Sequence, residues 1–329
     1  VSVLVASPAK STGGVRLELT DEERSGVRKL AEEAMTVPPA LVDDPQWLAE
    51  TRRISCRLPV RVIEALRQLR HDAGRSGILC LAGLPVDESD LPDTPSVRDS
   101  VERLPALPAT VAMLLGQQIG EVFAFRDEKH GALIQNVVPV PSLATSQSNG
   151  GSVLLELHNE NAFHACRPDL IGLLCLRSDH ERRAGTLVSS IRDAMPLLDE
   201  ADIAVLSSAR FTTEAPPSFS AGESTGAGPV LTGHPEDPDI RVDFNATVPQ
   251  DDEARGALER LGAALMKVSS SLVLQPGEMV FVDNRLVVHG RTDFTPRYDG
   301  RDRWLHRLYV HLDSRRGNAH RVGHASVLA

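Results

Sequence analysis

Hydrophobic residues recur along the chain in two different patterns, and the change from one to the other divides it. In the first third the pattern predicts helices from Thr20 to the Pro38-Pro39 pair, over about 59–72 and over about 107–115. Thr20 followed by Asp21, Glu22 and Glu23 is a helix start, with carboxylates at the positive end of the helix dipole. Between these helices GILCLAGLPV is a short apolar run bounded by Gly and Pro, as a buried strand would be. Further on, SVLLELH, DLIGLLCLR, GTLVSS, IRVDF, SLVLQ, MVFVDN and RWLHRLYVHL are short runs rich in Val, Leu and Ile, separated by turn residues. Their spacing predicts a sandwich or barrel of antiparallel strands, interrupted by helices near 201–208 and 252–268. The segment 213–229, TEAPPSFSAGESTGAGP, is the one clear loop insertion and reads either as a lid over a site or as plain surface. No internal repeat or linker divides the chain, so residues 1–329 are expected to form a single domain.

Composition narrows the function. The net charge of −10 removes nucleic acid as a partner, since a binder needs a basic face. The longest apolar stretches, 170–176 and 279–282, fall far short of the roughly 20 residues that cross a bilayer. The opening VSVLVASPAK lacks a basic leader and does not read as a secretory signal. Four cysteines are scattered without a CxxC pair, which predicts free thiols rather than a disulfide framework. A cytoplasmic protein with no membrane partner is the expectation.

Phosphate-loop, dinucleotide and HExxH motifs are absent. One GxSxG match, 222–226, lies in the Pro/Gly/Ser-rich loop, whereas a nucleophile elbow needs a strand before it and a helix after it. Histidine and carboxylate geometry remains. His158-Asn159-Glu160 ends the strand SVLLELH, and in a strand residues i and i+2 share a face, so both side chains can reach one ion. His289, in NRLVVHG just past the strand MVFVDN, can supply a third ligand. Two imidazoles and one carboxylate leave coordination positions open, which suits non-haem Fe(II) and oxygen chemistry better than a closed zinc site. With 11 His and 45 acidic residues, chance supplies one or two His-x-Asp/Glu pairs. The chain has two others, His234-Glu236 and His311-Asp313, and the alternative for His158 is a hydrogen-bonded core histidine. Arg303, Leu305, Arg307 and Tyr309 share one parity in RDRWLHRLYV, so two arginines face the same side of a strand. Buried arginines need anions, and a small dicarboxylate plus a substrate carboxylate would supply them. Surface ion pairs with Asp299 and Asp302 are the competing explanation.

The blocks LELHNENAFHACRPDLIGLLCLRSDHERRAGTLVSSIRDAMPLLDE and EMVFVDNRLVVHGRTDFTPRYDGRDRWLHRLYV closely resemble the clavaminate synthase-like group of Fe(II)/2-oxoglutarate dioxygenases, from about Gly77 onward. Within that group the resemblance is strongest to hydroxylases of free L-amino acids, those of asparagine first and of arginine next. It implies a mainly β fold with helices: a double-stranded β-helix (jelly roll) core carrying N-terminal and inserted helices. It implies His158, Glu160 and His289 as iron ligands, with Glu160 in the group's characteristic place for Asp. Thr186 and Arg303 match the residues that hold the distal carboxylate of 2-oxoglutarate, and Arg307 the arginine for the substrate α-carboxylate. Glu128, Asn149 and Asp243 match positions that contact the substrate ammonium and side chain, and 213–229 falls where such enzymes carry a lid. The implied reaction consumes 2-oxoglutarate and O2, releases succinate and CO2, and hydroxylates an unactivated carbon in a monomeric enzyme. A role in nonribosomal peptide antibiotic biosynthesis follows from the same likeness.

Asp243 then bears on the substrate. A carboxylate accepts hydrogen bonds and repels another carboxylate, so a terminal amide or a cation is welcome and aspartate is not. The arginine hydroxylases of the group carry a second Asp two residues on, where this chain has Asn245. L-Asparagine, hydroxylated at Cβ, ranks first, ahead of arginine or another basic amino acid. A catalytically silent cupin-like binding protein and a zinc hydrolase are the remaining readings.

Overall fold

Thr20 caps the helix Asp21–Met35 as its sequence predicts. Its hydroxyl accepts the Glu23 N–H at 3.2 Å while the Glu23 carboxylate accepts the Thr20 N–H at 2.9 Å, so two otherwise orphaned amides are satisfied. A computed structural model describes residues 14–216, 219, 224–322 and 326–329. The N-terminal VSVLVASPAK, part of the 213–229 segment, and Gly222 and Glu223 of the GxSxG match lie outside the described residues. Helices Val60–His71 and Leu107–Ile119 form where expected, the second running four residues further. A helix Pro45–Ser55 goes beyond the expectation. Asp44 caps it by accepting the Gln46 and Trp47 amides at 2.8 and 3.1 Å, and Pro45 sits at the first turn, where its missing N–H costs nothing.

Helix Leu107–Ile119 is apolar on nearly every face and buried accordingly. It packs against the other three helices on one side and strand Trp304–His311 on the other. That strand belongs to a sheet of nine strands among the described residues. Its backbone runs Val15–Glu18, Ile78–Ala82, Met279–Asp283, Leu170–Arg177, Trp304–His311, Glu121–Phe125 and Val327–Leu328. Strand Ile134–Val137 pairs the front half of Trp304–His311. A second sheet orders Ser270–Leu272, Thr186–Ser190, Val287–Arg291 and Leu155–His158. Helix Asp252–Val268 covers it from outside, and Ser189 Oγ donates to the Leu265 carbonyl at 2.7 Å. Most strand pairs are antiparallel as expected; Val15–Glu18 with Ile78–Ala82, and Val327–Leu328 with Glu121–Phe125, are parallel.

Two readings of the second half need correction. IRVDF is not a strand: only Ile240 belongs to one, in the hairpin Leu231–His234 with Asp237–Ile240. Beyond it Arg241 donates to the carbonyls of Ala162 and Phe163 at 2.5 and 2.9 Å, drawing the chain across to His158. His289 does lie past the strand Met279–Asp283, in the strand that follows it, Val287–Arg291. Glu160 lies beyond the strand that ends at His158, so the shared-face argument does not place it. Among the described residues no helix is long and apolar enough to cross a membrane, and all four cysteines are free.

Candidate active site

His158 and His289 sit directly opposite one another on paired strands, with ring centroids 4.4 Å apart. Glu160 reaches them because the turn after His158 is clamped. Asn284 accepts the Glu160 N–H at 2.8 Å and donates to the carbonyls of Glu160 and Pro168 at 3.1 and 2.9 Å. Asn159, pointing the other way, donates to the carbonyls of Asn284 and Val287 at 2.8 and 3.0 Å. Asparagine suits both places because its amide both donates and accepts, and all these groups are buried. As a result one donor atom each from His158, Glu160 and His289 lie within 4.8 Å of one another, and His289 Nε2 is 3.4 Å from Glu160 Oε2.

The donor set fits a divalent cation. His158 Nδ1 meets the Glu156 carbonyl at 2.8 Å, which fixes that nitrogen as N–H and leaves Nε2 as a lone pair. Burial, with the neighbouring His158, pushes His289 below its usual pKa, so its imidazole is neutral as a ligand must be. Burial alone would raise the Glu160 carboxyl, but the Arg307 guanidinium beside it outweighs burial and holds the group ionised. The other His-x-acid pairs gather no third ligand among the described residues. His234 and Glu236 are exposed at a hairpin turn. His311 stacks on Phe123 with centroids 3.7 Å apart, and Asp313 accepts the Arg315 N–H. His180, Asp299 and Asp302 also lie close enough to share an ion, but Asp302 is occupied in a turn, accepting the Arg297 and Tyr298 amides at 2.8 and 2.5 Å.

The arginines of strand Trp304–His311 and its approach differ in their partners. Arg307 donates to Glu160 at 2.9 Å, to Gln135 Oε1 at 3.0 Å and to Glu128, and lies over the Tyr309 ring. Tyr309 Oη donates to Glu128 at 2.9 Å. Burial would lower the Arg307 pKa, but Glu160 and Glu128 raise it, so it stays a cation. Among the described residues Arg303 meets only Thr186 Oγ1, at 3.3 Å, and is 6% exposed. Neither arginine pairs with Asp299 or Asp302.

Two adjoining cavities collect all nine site residues that the resemblance implies. One, of about 450 Å³, is lined by Glu128, Asn149, His158, Glu160 and Asp243, together with residues of 213–216 and Phe219. The other, of about 40 Å³, is lined by Thr186, His289, Arg303 and Arg307, and again by Asn149 and Glu160. Glu160 thus marks the boundary between them. Gln135, Asn284 and Arg291 also belong to this site and were not singled out; each is one polar residue in an apolar or ordinary context, and only the three-dimensional arrangement gives it a role.

Residues 43–309 match the family model described as taurine catabolism dioxygenase TauD, TfdA family, and the chain belongs to that family. The chain is 43% identical to L-asparagine oxygenase of Streptomyces coelicolor over 98% of its own length and 96% of that protein's. It is 35% identical to clavaminate synthase 2 of Streptomyces clavuligerus, covering 88% of this chain and 90% of the relative. Among solved structures, asparagine oxygenase in complex with Fe(II), 2S,3S-3-hydroxyasparagine and succinate superposes with a TM-score of 0.93 at 42% identity, covering 95% of this chain and 98% of that one.

Proposed function

We propose that the protein is an Fe(II)/2-oxoglutarate-dependent hydroxylase of a free L-amino acid, with L-asparagine hydroxylated at Cβ. The observation that carries this reading is the convergence of His158, Glu160 and His289 beside a buried Arg303 that has no carboxylate partner among the described residues. A metal-binding module has no use for the second feature; an enzyme that takes a dicarboxylate cosubstrate does. The two facing sheets are read as the halves of a double-stranded β-helix, and residues 1–329 as one catalytic unit.

His158, Glu160 and His289 would hold iron on one side and leave its other positions for ligands. Bound iron, with 2-oxoglutarate and O2, supplies the oxidising power for an unactivated C–H bond; the protein supplies aim. Thr186 and Arg303 take the distal carboxylate of the cosubstrate, since a guanidinium and a hydroxyl side by side match its two oxygens. The Glu128–Arg307 ion pair is complementary to a zwitterion. An amino acid entering between them offers its carboxylate to Arg307 and its ammonium to Glu128, replacing one ion pair by two. Asn149 and Asp243 face the same cavity and meet the side chain. One Asp243 oxygen accepts the Asn245 N–H at 2.9 Å, and the carboxylate can still accept from a substrate amide.

A second reading, hydroxylation of a basic amino acid, is favoured by one feature: Glu128, Glu156, Glu160, Glu214 and Asp243 line the larger cavity, and no lysine or arginine does among the described residues. Incubation with Fe(II), 2-oxoglutarate, O2 and each of the twenty free L-amino acids, read by mass, separates the two. The account expects a gain of one oxygen on asparagine with equimolar succinate. Gain on lysine or arginine alone would select the second reading, and gain on none would overturn both.

A further inference from the structure

Four arginines are buried among the described residues: Arg177, Arg291, Arg303 and Arg307. Arg177 meets Glu88 at 3.2 Å, and Arg307 meets Glu128 and Glu160. Arg291 and Arg303 meet no carboxylate among the described residues, yet both line the same small cavity. A buried charge without a counter-ion is costly, and two like charges sharing a pocket are costlier.

Backbone geometry brings Arg291 there. It lies two residues beyond His289 on strand Val287–Arg291 and directly opposite Thr186 on the neighbouring strand. On the other side the register with Leu155–His158 shifts between His289 and Arg291, a bulge of the kind that re-aims a side chain beside a site. The guanidinium is then only partly satisfied. Nη2 donates to the Val153 carbonyl at 3.0 Å, and Nη1 reaches the Ser148 and Asn149 carbonyls only at 3.4 Å each. Nε is buried and has no acceptor among the described residues.

We infer that Arg291 is a second cation of the cosubstrate pocket, its Nε–H donating, alongside Arg303 and Thr186, to the distal carboxylate of 2-oxoglutarate. This rests on the hydroxylase reading above and adds a binding residue to it. One carboxylate set against both guanidinium groups offsets one of their two charges and gives the orphaned donor an acceptor. A monocarboxylic 2-oxo acid satisfies neither, so Arg291 is a source of discrimination between the two acid classes.

The test is an anaerobic calorimetric titration of the Fe(II)-loaded protein with 2-oxoglutarate and with 2-oxobutyrate, which shares the 2-oxo acid head and lacks the distal carboxylate. R291M should weaken 2-oxoglutarate binding by about tenfold or more, the loss expected for a charge-assisted contact, and move 2-oxobutyrate by no more than about twofold. R291K, which keeps the charge but not the donor geometry, should narrow the preference for the dicarboxylate several-fold, and it carries the test if R291M does not fold. Equal weakening of both acids would overturn the inference and leave Arg291 as an anchor for segment 148–153. An unchanged preference in both variants would overturn it too. Wild-type protein that binds no 2-oxoglutarate would overturn the hydroxylase reading itself, a result the variants cannot mimic.

Discussion

Asp243 and Asn284 show how single side chains divide the work of this site between selection and position. Asp243 is proposed to select. If it accepts a donor from the substrate, Asp243→Asn should weaken asparagine turnover and admit aspartate, because the new amide donates where the carboxylate repelled. Competition between the two amino acids, followed by mass, reads this; unchanged selectivity would remove Asp243 from the side-chain pocket. Asn284 positions. Three of its hydrogen bonds fix the Glu160 turn, and it is fully buried. Asn284→Ala leaves those partners unsatisfied and should cost about 2–3 kcal/mol in urea denaturation. The same variant should weaken metal binding by about 10- to 100-fold, as loss of groups that orient metal ligands does. The two residues were unequally legible. Asp243 is marked by its place in a family pattern, whereas Asn284 is one residue of the string VFVDN, and no periodicity distinguishes an asparagine that folds back onto a distant turn.

At the scale of elements, Val287–Arg291 is the strand on which the proposed metal and cosubstrate positions meet. It carries His289 and Arg291 around Gly290, whose missing side chain lets the Leu155 strand come close: a Cβ there would lie 2.5 Å from the Leu155 carbonyl oxygen. Gly290→Ala should therefore push this strand from its neighbour, lower stability by about 1–3 kcal/mol and reduce Fe(II) affinity, measured by thermal melts and anaerobic titration. A fully active, equally stable variant would show that the close approach is not needed. Elements with strong punctuation were legible: the capped helix at Thr20, the apolar helix from Leu107, and the long strands Leu170–Arg177 and Trp304–His311. Helix Pro45–Ser55 and strands Glu121–Phe125 and Ile134–Val137 were not. The strands are short and are completed by pairing with Trp304–His311, a partner far along the chain. IRVDF misleads for the opposite reason, since a β-rich string is diverted by the Arg241 hydrogen bonds.

For the whole molecule, the space between the sheets is where burial and charge conflict, and the outer layers feel the conflict as acid sensitivity. His306, on the other face of the strand that carries Arg307, is buried, has no hydrogen bond at either ring nitrogen among the described residues, and is drawn down to about 3 by burial. His164 falls to about 4, chiefly through burial. Both are neutral in the folded protein, whereas an unfolded histidine takes up a proton near about 6.5. Below that pH the unfolded chain binds more protons, so stability should fall progressively from about pH 6.5 to about 3, by a few kcal/mol. Urea midpoints across this range should show the fall, and His306→Leu should flatten it; parallel curves for the variant and the wild type would contradict the assignment. The most direct test of the central claim is anaerobic Fe(II) binding at equilibrium. Wild-type protein should bind one ion per chain, and Glu160→Ala and His289→Ala should each lose at least about a hundredfold in affinity, at or beyond the upper end of what outer-shell changes cost. Unchanged affinity in either variant would mean that the ion sits elsewhere.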